Sequence, residues 1–177
     1  FEQTWERFEK VLNPKKRGAA SLHELTKDKE LDFFVLYSSA ASVLGSPGQA
    51  NYACGNGYLD GLAHQRKKEG LPAQSVNFGP WTEGMAATDN VIKAMELQGI
   101  TPLAADEAHE AIDRLIDNHI VQATMLDADW ATMRSRYPVE TPPLLDELWT
   151  DAMQVTSGPA VLLEKLREAE EAGESRE

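Results

Sequence analysis

The first thirty residues carry apolar side chains at the spacing of an α-helix. Residues 4–12 place four of them on one face: Trp5, Phe8, Val11 and Leu12. The same period resumes in residues 20–28, after Pro14. Because proline inside a helix removes a backbone hydrogen bond, the pattern predicts two helices that are interrupted at Pro14.

Three later segments are predicted to be strands, and the first of them is a continuous apolar run of the kind found in strands that are buried on both faces. They are LDFFVLYSS (31–39), PAQSVNFGPW (72–81) and IVQATMLD (120–127). Helical patterns lie between them, at residues 48–70, 89–99 and 105–118. Strands that are separated by helices connect as parallel crossovers. The predicted fold class is therefore α/β, with a doubly wound parallel sheet.

The alternation of strands and helices weakens after Asp127, and this change predicts three segments. Residues 1–135 are predicted to form the folded domain. Residues 136–156 are rich in proline and are predicted to run over the surface of that domain. Residues 157–177 combine one short apolar patch with a charged end, which is typical of a linker helix that leads to another module.

Composition and charge exclude several classes of function. The chain has 177 residues and a net charge of -12, from 17 basic and 29 acidic residues, which argues against nucleic-acid and membrane partners. Its single cysteine excludes a disulfide framework and favours a reducing, cytoplasmic location. The four histidines do not have metal-ligand spacing, so we predict no metal site and place them on helix surfaces or helix ends. The beginning, FEQTWERFEK, lacks Met and suggests a piece cut from a longer chain.

Candidate chemistry lies where the first predicted strand meets the long helix. Tyr52 and Asn56 are four residues apart and therefore share one face of that helix. Ser39 closes the strand before them, and ligands of parallel sheets bind beyond the carboxyl ends of the strands. A phenol becomes a stronger acid beside an ammonium, which Lys15 or Lys16 could provide. The Ser39 hydroxyl could then hold the oxygen that the phenol protonates.

Three stretches resemble the ketoreductase domain of modular polyketide synthases, a branch of the short-chain dehydrogenase/reductase superfamily. They are VLNPKKRGAASLHEL, LDFFVLYSSAASVLGSPGQANYACGNGYLDGLAHQRKKEGLPAQSVNFGPWTEGMA and GITPL. The resemblance runs from residue 1 to about residue 150. It implies a Rossmann-like fold, of which residues 1–135 form the C-terminal, catalytic half. It also implies that the protein uses NADPH to reduce a β-ketoacyl thioester that is carried on an acyl carrier protein. The remainder of the ketoreductase domain and the rest of the synthase are the other partners that it implies.

The resemblance also assigns roles to individual residues. Its catalytic positions match Lys15, Ser39, Tyr52 and Asn56. Single-enzyme members of the superfamily carry Lys where Asn56 stands, so Asn56 together with Lys15 is typical of the polyketide branch. The cofactor would contact Lys15, Tyr52, Phe78, Gly79 and Pro80, and the substrate would contact Leu44, Gln49, Trp81 and Met85. Leu44, where some relatives have Trp, implies the D-configured alcohol.

The sequence contains no G-x-G-x-x-G fingerprint for a dinucleotide pyrophosphate. In the family this element is expected before residue 1. We therefore expect residues 1–177 alone to bind NADPH weakly and to self-associate through an unpaired strand edge. The alternative is a non-catalytic Rossmann-like remnant that serves as a structural or interaction module. Retention of all four catalytic positions favours the enzyme.

Overall fold

The helices and strands follow the predicted order in the residues that the structure, a computed structural model, describes: 3–83, 89–135 and 143–152. The helices are α1 Trp5–Thr26, α2 Ala41–Leu44, α3 Ala50–Lys68, α4 Asp89–Glu96, α5 Ala105–Asp117, α6 Trp130–Ser135 and α7 Asp146–Ala152. The strands are β1 Val35–Ser39, β2 Gln74–Phe78, β3 Ile100–Thr101, β4 Gln122–Met125 and β5 Asp127–Ala128, and Pro143–Leu145 form a 3-10 helix. The chain divides into two units, residues 1–88 with 102–126 and residues 89–101 with 127–177.

The first unit is built on a three-stranded parallel sheet with the strand order β1-β2-β4. Val35–Ser39 pair in register with Gln74–Phe78, and Ser75–Phe78 pair with Gln122–Met125. Since α3 connects β1 to β2 and α5 lies between β2 and β4 in the chain, these pairings are the expected parallel crossovers. The α/β fold predicted from the sequence is confirmed.

Each face of this sheet is covered by a separate apolar cluster. On one face, Leu36 of β1 packs with residues of α1 and α3: Ala19, Leu59, Leu62 and Ala63. On the other face, Val76 and Phe78 of β2 pack with residues of α5: Ala108, Ile112 and Leu115. Because successive strand side chains point to opposite faces, the apolar run of β1 contributes to both clusters, through Leu36 on one face and Val35 on the other.

Helix α1 is continuous, and the predicted interruption at Pro14 is wrong. Pro14 lies inside the helix Trp5–Thr26 on its exposed side. Leu12 precedes it and Ala19 follows it, and both are buried. A proline within a helix costs about 3 kcal/mol. Packing of the helix on both sides of the proline offsets this cost, and sequence periodicity does not report such packing.

The last turns of α1 and α3 meet around Arg66, whose side chain is 0% exposed. Its Nε donates to the Pro72 carbonyl oxygen at 3.1 Å, and Nη1 lies 3.2 Å from His23 Nδ1. The guanidinium stacks 3.9 Å from the centre of the Phe34 ring. Burial lowers the pKa of Arg66, and the charge of Glu69 partly opposes that effect. His23 was predicted on a helix surface or helix end; it lies in the last turn of α1 but is buried, because Arg66 needs an acceptor there.

The second unit contains a small antiparallel sheet that the sequence did not predict. Ile100 of β3 pairs with Ala128 of β5, and Thr101 pairs with Asp127. The run 120–127, predicted as one strand, therefore ends as β4 at Met125, and a second strand begins at Asp127. Pairing between residues almost thirty positions apart leaves no local pattern in two-residue strands.

Gly99 precedes β3 and is expected to tolerate no side chain. Its φ is +78°, and a Cβ there would lie 2.7 Å from the Asp129 carbonyl oxygen. We expect Gly99→Ala to destabilise the second unit by about 2–3 kcal/mol, from backbone strain and overlap. Hydrogen exchange at residues 99–101 and 127–133 measures this. Gly57→Ala is the control, since a Cβ there meets nothing within 4 Å and should stabilise α3 by about 0.5–1 kcal/mol. Equal effects of the two changes would contradict the prediction.

The segments predicted after residue 135 are described only in part. Residues 143–152 form the 3-10 helix and α7, with Leu145 and Trp149 buried. Residues 136–142 and 153–177, which hold most of the predicted surface segment and the predicted linker helix, lie outside the described residues. The three-segment division stays a prediction. Among the helices that the structure describes, none is long and apolar enough to cross a bilayer.

Candidate active site

The carboxyl end of β1 carries the serine pair of the predicted site. Ser39 pairs with Phe78 of β2, and the next amide, Ala40 N, donates to the Phe78 carbonyl oxygen at 2.8 Å. The Ser39 Oγ accepts from Ala41 N at 3.2 Å, so the hydroxyl lies at the beginning of α2. Ser39 is half-buried, whereas Ser38 is buried beneath α3. The structure thus places the Ser39 hydroxyl at the strand end, as the sequence predicted.

Tyr52 and Asn56 occupy adjacent turns of α3. Asn56 is fully buried, and its Nδ2 donates to the Tyr52 carbonyl oxygen at 2.9 Å. This contact fixes the orientation of the amide, because a reversed amide would set two oxygens against each other. Asn56 Oδ1 is buried and makes no hydrogen bond within the described part of the chain. A buried acceptor without a donor is unusual, and this one lies one helical turn from Tyr52.

Lys15 reaches across from α1 to the same point. Its Nζ donates to the Tyr37 carbonyl oxygen at 3.1 Å and lies 5.8 Å from the centre of the Tyr52 ring. Gly55 lies beside the Lys15 stem: a Cβ at Gly55 would be 3.5 Å from Lys15 Cδ, an ordinary contact. The neighbouring Lys16 is exposed. Of the two lysines left open by the sequence, the contact with Tyr52 is therefore made by Lys15.

The sequence analysis missed a buried polar group behind these residues, which we call the Asp60 cluster. Its members, with Asp60 at the centre, are Ser38, Ser42, Asp60, Ser75 and Asn77. Asp60 follows Asn56 by four residues and so shares the helix face of Tyr52 and Asn56. The polar residues Ser75 and Asn77 in β2, a strand that is buried throughout, were a second signal from which the cluster could have been predicted.

The remaining predicted cofactor and substrate residues have varied surroundings. Phe78 is buried in the core and contacts Tyr37 and Trp81, with ring centres 5.3 and 5.0 Å away. A Cβ on Gly79 would lie 2.9 Å from Leu126 Cδ1 and 3.2 Å from the Met125 carbonyl oxygen, so a side chain there would require both neighbours to shift.

The other four predicted positions lie near the ends of helices and strands or outside the described residues. Leu44 is half-buried at the end of α2. Gln49 is exposed, and its Oε1 accepts from Ser46 Oγ. Pro80 accepts from Leu103 N through its carbonyl oxygen. Met85 lies outside the described residues. Within the described residues, no group of three or more His, Cys, Asp or Glu could hold a metal ion.

The protein has a Rossmann-like α/β fold, and Lys15, Tyr52 and Asn56 lie close together beside the end of its first strand. These two features together indicate the class that the sequence resemblance predicted, a short-chain dehydrogenase/reductase. A family model described as "KR domain" matches residues 1–83. A 6-methylsalicylic acid synthase of Arthrobotrys oligospora is 43% identical over 83% of this chain and 8% of its own length. The erythronolide synthase EryA3 of Saccharopolyspora erythraea is 41% identical over 91% of this chain and 5% of its own length.

Solved structures agree with the sequence relatives. A structure titled as an A1-type ketoreductase has a TM-score of 0.79 and 35% identity, over 86% of this chain and 33% of that chain. A C2-type ketoreductase from a modular polyketide synthase has a TM-score of 0.72 and 27% identity, over 80% and 31%. The chain belongs to the ketoreductase domain family of modular polyketide synthases. It spans about a third of these solved ketoreductases and less than a tenth of the two synthases.

Proposed function

We propose that the protein reduces a β-ketoacyl thioester to the β-hydroxyacyl thioester with NADPH, as part of a polyketide synthase. The observation that carries the proposal is the Lys15 ammonium held 5.8 Å from the centre of the Tyr52 ring. A phenol can act as a general acid toward a carbonyl oxygen, and a nearby ammonium offers a positive charge to the phenolate that results. The substrate is proposed to arrive on an acyl carrier protein, and the rest of the domain and synthase are the other proposed partners.

The residues of this chain supply the proton side of the reaction. Tyr52 donates its phenolic proton to the ketone oxygen as the carbonyl is reduced. The Ser39 hydroxyl donates a hydrogen bond to the same oxygen, where negative charge develops in the transition state. Lys15, anchored on the Tyr37 carbonyl oxygen, stabilises the phenolate that Tyr52 becomes. These groups lower the barrier because they act on charge that is absent from the ground state.

The residues near Tyr52 fit the nicotinamide end of the cofactor. NADPH, when bound, supplies the hydride that reduces the carbonyl carbon. Asn56 Oδ1 is a buried acceptor without a donor in the described part of the chain, and Lys15 adds an ammonium nearby. Of the two, the Lys15 ammonium is the group that a polar part of a nicotinamide riboside can contact, since the Asn56 side chain is fully buried. The pyrophosphate end of the cofactor has no matching segment in this sequence, because the sequence contains no Gly-rich fingerprint that would bind it.

We expect the full-length protein that carries this sequence to oxidise NADPH when a β-ketoacyl thioester is added. Absorbance of NADPH and chromatography of the β-hydroxy product measure the reaction. Residues 1–177 alone are the control and should bind NADPH weakly and reduce nothing, since pyrophosphate contacts supply much of the affinity. Saturable micromolar binding by the 177 residues would contradict this expectation. A folded full-length protein without reductase activity would favour the non-catalytic alternative. The D configuration of the product stays a prediction.

A further inference from the structure

The Asp60 carboxylate is buried in α3 and is held by uncharged donors. Its side chain belongs to a residue that is 8% exposed. Ser75 Oγ donates to Oδ1 at 2.6 Å, and Ser42 Oγ lies 2.8 Å from Oδ2. Asn77 Nδ2 lies 3.0 and 2.9 Å from the two oxygens. Withdrawing a carboxylate from water is costly unless hydrogen bonds compensate, and core stability alone would be served by apolar residues.

The contacts of the cluster lead directly to the strand end that carries Ser39. Ser42 Oγ lies 2.8 Å from the Ser39 carbonyl oxygen and the same distance from Asp60 Oδ2. Because Ser42 has one hydroxyl proton, it donates to one of these oxygens at a time, and it accepts from Asn77 Nδ2 at 2.8 Å. A change at Asp60 therefore alters how Ser42 holds the Ser39 backbone.

A second path leads to the helix that carries the other predicted catalytic residues. Asn77 Nδ2 lies 3.0 Å from Ser38 Oγ, and Ser38 Oγ donates to the Asn56 carbonyl oxygen at 3.2 Å. The cluster thus joins the end of β1 to the turn of α3 that contains Asn56. Both sides of the proposed site are fixed relative to each other through buried hydrogen bonds, which resist displacement in a low dielectric.

We propose that Asp60 is a positioning residue that sets the Ser39 hydroxyl relative to Tyr52, acting through Ser42 and Asn77. The inference rests on the proposed ketoreductase function. Asp60 touches neither substrate nor cofactor in this scheme. Displacement of a reacting group by about 1 Å can cost on the order of 10²-fold in rate, so modest movement of the strand end is sufficient.

The first experiment compares Asp60→Ala with Asp60→Asn in the full-length protein. We expect Asp60→Ala to lower kcat by roughly 10–100-fold and to leave the KM for NADPH within about twofold. Asp60→Asn keeps the shape and one acceptor oxygen, while its new amide nitrogen faces Asn77 Nδ2, so it should lose clearly less kcat than Asp60→Ala. A fall in kcat of less than about threefold in Asp60→Ala, with its hydrogen exchange unchanged, would overturn the proposal.

A second pair of variants separates positioning from simple stabilisation. Ser42→Ala and Ser75→Ala each remove one hydroxyl beside Asp60, but Ser42 contacts the Ser39 backbone and Ser75 does not. We expect Ser42→Ala to lower kcat at least about fivefold and Ser75→Ala to keep it within about twofold. Equal losses of kcat, or no loss in either variant, would overturn the proposal. If Asp60→Ala does not fold, this pair and Asp60→Asn decide the question.

Hydrogen exchange distinguishes failure of this inference from failure of the proposed function. The amides of residues 40, 41, 43 and 44 form hydrogen bonds at the strand end and in α2. Their protection should fall in Ser42→Ala and Asp60→Ala and return in Asp60→Asn, whether or not the protein reduces ketones. If the unsubstituted protein is folded but inactive, the proposed function fails and exchange alone tests the positioning. Unchanged protection in all variants would refute the role of Asp60.

Discussion

Tyr52→Phe in the full-length protein is expected to remove most ketone reduction while leaving NADPH affinity nearly unchanged. The change deletes one oxygen, and with it the proton that the ketone oxygen receives in the transition state. Loss of a well-placed general acid lowers the rate roughly 10²–10⁴-fold. The ring itself remains, so its 5.8 Å contact with the Lys15 ammonium and its packing on α3 should persist. The measurements are kcat with a β-ketoacyl thioester and NADPH binding by fluorescence.

Tyr58→Phe is the matched control for this prediction. Tyr58 lies on the same helix, two turns away in sequence, and packs against the apolar cluster of α1, β1 and α3. Loss of its hydroxyl should leave kcat within about twofold, because it lies outside the group of Lys15, Tyr52 and Asn56. Near-normal turnover by Tyr52→Phe would contradict the assignment of Tyr52 as the general acid. A loss of NADPH binding in that variant would instead assign Tyr52 to binding.

Arg66→Ala should produce the largest loss of stability, about 3–5 kcal/mol. The substitution would empty a fully buried site and leave His23 Nδ1, Thr26 Oγ1 and the Pro72 carbonyl oxygen without this donor. Each buried polar group that loses its partner costs about 1–3 kcal/mol, and the cavity adds to that. The stacking contact with Phe34 is also lost. Hydrogen exchange of α1 and α3 measures the free energy of opening.

Two further variants show what Arg66 contributes. Arg66→Met keeps most of the volume over Phe34 and removes a buried charge, so it should cost clearly less than Arg66→Ala. Lys67→Ala, at the exposed neighbouring position, should change stability by no more than about 0.5 kcal/mol. If Arg66→Ala and Lys67→Ala were equally mild, Arg66 would contribute nothing to the junction of α1 and α3.

The periodicity of apolar residues was sufficient to predict the order of the main elements. A continuous apolar run gave β1, and the segments 72–81 and 120–127, which lie between helical patterns, gave β2 and β4. Periodicity failed to predict the structure at positions where a contact with a distant part of the chain determines it. Packing of α1 holds the helix together through Pro14, and pairing with β3 creates β5. Such contacts carry no signature within a few residues of the position that they affect.

The parts of the candidate site that lie on a single helix were predictable from the sequence, whereas the parts that several elements build together were not. Tyr52 and Asn56 share a face of α3, so their proximity follows from spacing alone. The residue types alone left Lys15 and Lys16 open, and the family resemblance selected Lys15; the packing of α1 on α3 places Lys15 beside the Tyr52 ring. The Asp60 cluster joins four elements, β1, α2, α3 and β2, and its members look individually like ordinary helix and strand residues. Its signal was the polarity of Ser75 and Asn77 within a strand that is buried throughout.

The buried polarity of β2 limits how ketoreductases of this kind can be recombined. Ser75 and Asn77 complete the hydrogen bonds of Asp60 on α3, and Asn77 Oδ1 also accepts from Gln122 of β4. A chimera whose crossover point falls between Lys68 and Gln74 would join an α3 from one parent to a β2 from another. Unless both parents carry the same polar set, that junction would leave a buried carboxylate facing apolar residues. Crossover points placed before α1 or after β4 keep α3 with both the strands and the helix that it packs against.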